Sequence, residues 1–445
     1  MLETQAWLRY SEEILVEWQQ AVDEGREVEH LKDICQKISE MAQTETCEEL
    51  AIAVGKKLKN ASVKSDYPFS EPSDLVGIKA ARPKARHHFT FNLTDEELKN
   101  KLAGAWIGRI SGCLLGKPIE GMRRNLINEI LKDTDNYPLK RYISYSEFSD
   151  TLKEEHEDFK DKCWVDKIDG IAPVDDDTNY TVFALKLIET YGKDFRPNDV
   201  LEAWLSWMPI FATCTAERVA YRNAAMGLFA PETAEHNNPY REWIGAQIRG
   251  DFFGYINIAN PEEAAEMAWR DASISHIKNG IYGEMFASAM ISAAAATDDM
   301  MTVVEAGLDE IPEKSRLRHD CELVISWYRE GISAEDVMDN IHKIYDEYVS
   351  HWWCHTNSNA MIVVFALLYG EKNFEKSICL AVQSAFDTDC NGATVGSIIG
   401  IMLGGDSIPA YWHEGYNKRL KTSVDGYTEV TVEQLVEKTI ELINL

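Results

Sequence analysis

Two short acidic runs are the residues best suited to chemistry. Asp175, Asp176, Asp177 and Thr178 come directly before the periodic run Tyr180–Gly192, which places them in the first turn of a helix. Capping alone explains one aspartate there, because a side-chain oxygen satisfies a free N–H and negative charge suits the positive end of the helix dipole. Three consecutive carboxylates repel one another, and a counter-cation is the economical reason to keep them together. Asp387, Thr388 and Asp389 repeat the pattern at the start of another helical run. Aspartates two apart on an extended turn aim at one ion, and oxygen-only donors suit a hard cation such as Mg²⁺ or Mn²⁺. The two runs are therefore read as halves of one divalent-metal site.

The elements that must position these runs carry a signal of their own. Gly104, Gly108, Gly112 and Gly116 recur every four residues, as do Gly392, Gly396, Gly400 and Gly404. Each glycine inside a helix costs about 1 kcal/mol against alanine, so such a stripe implies that another backbone comes very close. A membrane-type glycine face is disfavoured because Arg109 interrupts the first run and the second is short. Antiparallel packing of the two striped helices brings the end of the first beside the start of the second. Glu120, which follows Gly116-Lys117-Pro118-Ile119, then arrives near Asp387 and Asp389.

The wider pattern is helical. Thr94 with Glu97 three residues on forms a capping box that opens a new unit. Helical periodicity then runs through 181–191, 261–274, 283–296, 315–330, 333–346, 358–369, 372–385 and 391–403, so the fold class is all-α. Tyr142-Ile143-Ser144-Tyr145 is the best strand-like run, and Asp298-Asp299 reads as a cap between helices. Residues 1–90 form a helical extension and connector, and 91–445 the main domain. In the extension Trp7, Ile14, Leu15 and Trp18, then Leu31, Ile34, Ile38 and Met41, recur at helical spacing; 65–89, with three prolines, reads as an extended connector.

Composition narrows the class. The chain has 445 residues, 45% of them hydrophobic, enough for a large core. A net charge of −29 repels phosphate backbones and argues against nucleic acid as a partner. No run approaches the roughly 18 apolar residues of a membrane span. The first residues carry acids where a secretory signal has a basic region followed by an apolar one. Nine cysteines without a C-x-x-C pair suit a reduced cytoplasm.

These motifs, in this order, resemble the ADP-ribosylglycohydrolase family over about Lys101 to Gly405. That family opens on a small-residue helix ending near a glutamate, here LAGAWIGRISGCLLGKPIEG with Glu120. It continues with T-D-D-T, here Asp175-Asp176-Asp177-Thr178, then an alanine-rich stretch preceded by histidine, here Ser275-His276. It closes with G-D-T-D-T, here Phe386-Asp387-Thr388-Asp389-Cys390. The resemblance implies an all-helical fold, a binuclear Mg²⁺ centre and cleavage at C1″ of ADP-ribose carried by a protein or a small conjugate. Asp176, Asp177, Asp387 and Asp389 would be metal ligands, with Asp175 and Thr178 as further members of the cluster. Glu120 and Asp177 would be the catalytic carboxylates.

Asp175 and Cys390 stand where the family often has threonine, and a thiol is a poor Mg²⁺ ligand. The family's diphosphate loop corresponds to Gly245-Ala246-Gln247-Ile248-Arg249-Gly250-Asp251, where Arg249 suits a phosphate and Asp251 repels one if it points the same way. His276, His355 and Asn357 complete the candidate substrate contacts, beside core readings of the same residues: in Trp352–Asn359 the aromatic and amide groups suit a base or a sugar. Two alternatives follow: an N-glycosidase for a nucleoside or ribosyl compound without a diphosphate, and a non-catalytic ADP-ribose-binding relative.

Overall fold

The structure, a computed structural model, describes residues 6–444, so the first five residues of the predicted extension lie outside the described residues. The eight periodic runs form the helices Asp176–Tyr191, Pro261–Ala272, Lys278–Ala294, Arg316–Arg329, Ala334–Ile344, Thr356–Tyr369, Phe374–Gln383 and Thr388–Leu403. The fold is all-α, and among the described residues the one sheet is a pair of three-residue strands, Arg419–Lys421 antiparallel to Glu429–Thr431. Asp299 caps the helix Met300–Leu308, accepting from the N–H of Thr302.

Tyr142–Tyr145 does not form the predicted strand. The N–H of Tyr142 donates to the Tyr411 hydroxyl (3.0 Å) and its own hydroxyl donates to the Trp412 carbonyl (2.8 Å). Aromatic side chains hold the segment where a neighbouring strand would have done so.

The striped helices, Asp95–Gly116 and Thr388–Leu403, form the centre of the main domain. Thr94 and Glu97 complete the capping box that starts the first. The stripes interlock antiparallel: a Cβ on Gly104 would strike the Gly400 carbonyl, one on Gly108 the Gly396 carbonyl, and one on Gly112 the Gly392 carbonyl. A Cβ on Gly116 would meet the backbone of Thr388. Backbone oxygens cannot swing aside as a side chain can, so all four positions require glycine. Helices Asp176–Tyr191, Lys278–Ala294, Thr356–Tyr369 and Phe374–Gln383 pack around this pair.

The N-terminal extension has its own small core, including Tyr10, Ile14, Cys35, Ile38, Cys47 and Leu58. Its helices are Ile14–Asp23, Lys32–Ser39 and Glu45–Asn60. The second turns differently from its apparent period: Ile34 and Met41 are exposed, whereas Cys35 and Ile38 point inward. The connector is not wholly extended, because Asp74 caps a short helix over Leu75–Ala81.

A buried polar seam clamps extension to main domain. Arg241 donates to Glu17 (2.9 Å) and Glu24 (3.1 Å), while Arg316 holds both Glu242 (2.8 Å) and the connector's Glu71 (2.8 Å). Trp352 donates its indole N–H to Asp23 (3.1 Å).

Candidate metal centre

The close approach of the striped helices delivers three chain segments to one place. Glu120, Asp387 and Asp389 each offer a carboxylate oxygen within 4.8 Å of the others, and Asp177 and Asp389 meet within the same distance. Thr388 ties the junction together, its hydroxyl donating to the Gly116 carbonyl (3.0 Å). Asn359 accepts from the N–H of Asp387 (3.1 Å) and from the Asn391 amide (2.7 Å), fixing the start of the second helix. Ala385 and Phe386, just before it, have φ of +63° and +57°. Phe386 occupies the motif's glycine position, and this left-handed backbone costs a non-glycine residue about 1–2 kcal/mol.

Asp175 is the N-cap of the Asp176–Tyr191 helix: its Oδ1 accepts from the N–H of Asp177 (2.9 Å) and its Oδ2 is paired with Lys117. The Thr178 hydroxyl turns back to the Asp175 carbonyl (3.2 Å). Arg109, buried in the striped helix, grips Asp177 through Oδ1 (3.0 Å) and the main-chain carbonyl (2.9 Å). Its other side pairs with Asp251 at 3.2 Å, so Asp251 points into the core.

Even with these two cations the centre holds excess negative charge. Burial, then the charges of Asp175 and Asp389, pushes the Asp176 carboxyl up to about 7. Burial also raises Asp177 against the pull of Arg109, and raises Asp387 and Asp389, which face neighbouring carboxylates. Glu120, on the exposed side of the group, is raised chiefly by the charge of Asp389 and then by desolvation. Asp175 goes the other way: burial opposes its charge, but Lys117 and its hydrogen bonds hold it below the usual range.

Asp177 Oδ2, Asp387 Oδ1 and Asp389 Oδ1 are buried with no hydrogen-bond donor. A buried acceptor left in this condition is costly, and divalent cations bound between Asp177 and Asp389 and between Asp387 and Asp389 would relieve them. The carboxylate set fits a hard divalent ion by donor type.

The predicted substrate residues lie elsewhere or face inward. Arg249 is buried, bound to Asp271, Glu217 (3.0 Å) and the Ser275 hydroxyl (2.9 Å). A Cβ on Gly245 would strike that same Glu217 carboxylate. His276 is buried against Ser275 (2.8 Å), and burial, then Arg249, lowers its pKa. Asn357 donates to Asp320 (2.8 Å).

His355 is buried against His351, with ring centres 5.0 Å apart, and is pushed down to about 3 by burial and by His351. These two histidines gather with Asp23, yet the group is ill suited to a metal. Trp243 donates to His351 Nδ1 (3.0 Å) and the Asn357 N–H to His355 Nδ1 (3.1 Å), so in each ring that accepts at Nδ1 the proton sits on Nε2, which then offers no lone pair.

Sequence reasoning gave no role in the centre to Arg109, Lys117, Asn359 or Glu217. Arg109 and Lys117 had a visible signal, since each is a cation embedded in or ending a small-residue helix; Asn359 was read as one of the amides of Trp352–Asn359 and not as the anchor of Asp387; Glu217 had no signal.

Helix ends bring acidic side chains from distant segments of this helical protein together, in the arrangement a metal ion would need. The chain belongs to the ADP-ribosylglycohydrolase family, hydrolases of glycosidic bonds, whose model matches residues 94–443. It is similar to a solved structure described as an ADP-ribosylglycohydrolase-related protein complex, with 16% identity and a TM-score of 0.48, over 78% of this chain and 99% of the other. No curated protein matches. Among the described residues no helix is long and apolar enough to cross a membrane.

Proposed function

We propose that the protein is a divalent-metal-dependent hydrolase that cleaves the glycosidic bond at C1″ of ADP-ribose attached to a protein side chain or a small conjugate. The observation that carries this reading is the meeting of Glu120 with Asp387 and Asp389, and of Asp177 with Asp389, in a centre where Asp177 Oδ2, Asp387 Oδ1 and Asp389 Oδ1 have no donor. Asp176, Asp177, Asp387 and Asp389 hold the ions, two Mg²⁺ or Mn²⁺, with Asp175 and Thr178 completing the cluster around Lys117. Such ions supply positive charge that fixes ribose hydroxyls and acidifies water. Glu120, at the solvent edge, gives or takes the proton as the bond breaks through an oxocarbenium-like state. Asp177, fixed by Arg109, is the second catalytic carboxylate.

Residues 91–445 carry this chemistry, and the extension braces the segment at 350–355 beside it. The cytoplasm is the proposed compartment, supported by nine unpaired cysteines.

One observation favours the N-glycosidase alternative. Arg249 is already saturated by Glu217 and Asp271, so a diphosphate finds no free guanidinium there. Release of ADP-ribose from ADP-ribosylated protein, and of ribose from N-ribosyl compounds, separates the two readings when each is measured with Mg²⁺ and with EDTA. Mg²⁺-dependent release of ADP-ribose is expected; release that persists in EDTA would refute the metal-dependent mechanism.

A further inference from the structure

The centre is lined by sulfur as well as oxygen. Cys113 Sγ, from the first striped helix, lies within 4.8 Å of a carboxylate oxygen of both Asp175 and Asp177. Cys390 Sγ, from the first turn of the second, has the same relation to Asp177 and Asp389. Cys354, in the turn before the Thr356–Tyr369 helix, places its Sγ 3.6 Å from Asp387 Oδ2. All three thiols are buried and free.

Packing accounts for a buried cysteine among apolar side chains, where it behaves as a small hydrophobe. It does not account for three thiols turned onto carboxylates. Asp177 is the hinge of the arrangement. Arg109 occupies its Oδ1, its Oδ2 has no donor, and the thiols of both Cys113 and Cys390 lie within 4.8 Å of one of its carboxylate oxygens.

We propose that this centre is a mixed thiol and carboxylate site that takes a borderline transition-metal ion, Zn²⁺ above all, in preference to Mg²⁺. Cys390 is its principal sulfur ligand, beside Asp177 and Asp389, and Cys113 is a second thiol within reach of Asp177. The proposal rests on the metal-site reading of the same carboxylates and departs from it in the identity of the ion. Zn²⁺ and Co²⁺ form strong bonds to thiolate, whereas Mg²⁺ gains nothing from sulfur and keeps to oxygen donors. As the sulfur–metal bond forms, the thiol proton leaves to solvent and nothing is oxidised or reduced.

Co²⁺ loading of the full chain tests this, because thiolate bound to Co²⁺ gives a near-ultraviolet charge-transfer absorption that oxygen ligands do not. The wild type is expected to show that absorption together with visible ligand-field bands. In Cys390→Ser the charge-transfer band disappears while the ligand-field bands remain, and the preference for Zn²⁺ over Mg²⁺ falls roughly 10- to 100-fold, as loss of a metal-site interaction does. Ligand-field bands without charge transfer in the wild type overturn the sulfur ligation, with no variant needed. So does an unchanged band in both Cys390→Ser and Cys113→Ser. Absence of any Co²⁺, Zn²⁺ or Mg²⁺ binding overturns this proposal and the metal reading beneath it.

Discussion

Asp176→Asn is the substitution whose effect can be worked furthest from the structure. In the metal-free protein the Asp176 carboxyl titrates at about 7 against 3.8 for an ordinary aspartate. The folded state thus keeps a proton that the unfolded chain releases near pH 3.8. Between that pH and about 7 the folded state binds more protons, and stability falls as pH rises, by about 1.4 kcal/mol per pH unit for a single group. Across the window the loss is on the order of 4 kcal/mol.

Asparagine has the same shape and no charge to develop, so Asp176→Asn escapes this loss. Urea unfolding in EDTA should show the variant gaining on the wild type between pH 5 and pH 8, and exceeding it at pH 8. Divalent cation should narrow the gap without closing it at 100 times Kd, where binding stabilises the wild type by about 2.7 kcal/mol. If the wild type minus variant difference in EDTA is the same at pH 5 and pH 8, the electrostatic account of the centre is wrong.

Gly108→Ala sets a methyl against the Gly396 carbonyl; overpacking of this kind costs about 1–3 kcal/mol or more, read as a lowered urea midpoint despite the gain in helix propensity. Arg241→Ala leaves buried Glu17 with Lys59 at 3.9 Å in place of Arg241 at 2.9 Å, while Glu24 keeps Arg26 and Lys278; a loss of about 3 kcal/mol is expected by chemical denaturation, and a change under 1 kcal/mol would show the seam to be unimportant. Glu120→Gln should retain divalent-ion binding by calorimetry while hydrolysis drops about 100-fold or more. Equal loss of binding and turnover would make Glu120 a ligand alone.

Much of this architecture was legible in the sequence because its causes are local. Glycine every fourth residue has few explanations in a helix, and the pairing of Gly104 with Gly400 and Gly112 with Gly392 follows once the stripes face each other. That pairing in turn places Glu120 beside Asp387 and Asp389. The helix over Lys32–Ser39 misled because its apolar residues span more than one face, and only docking decides that Cys35 rather than Ile34 turns inward. The roles of Arg249 and Asp251 were hidden for a related reason. A loop motif shows which groups are present, whereas their direction depends on Glu217, Asp271 and Arg109, which come from other parts of the chain.

The central claim is that Asp387 and Asp389 help to hold divalent ions against which an ADP-ribosyl group binds. Calorimetric titration of ADP-ribose tests it most directly, with and without Mg²⁺ or Zn²⁺, in the wild type and in the double substitution Asp387→Ala with Asp389→Ala. The account predicts binding that requires the cation and disappears in the double variant while the far-ultraviolet helical signal is kept. Equal binding with and without cation, or in the double variant, would contradict it.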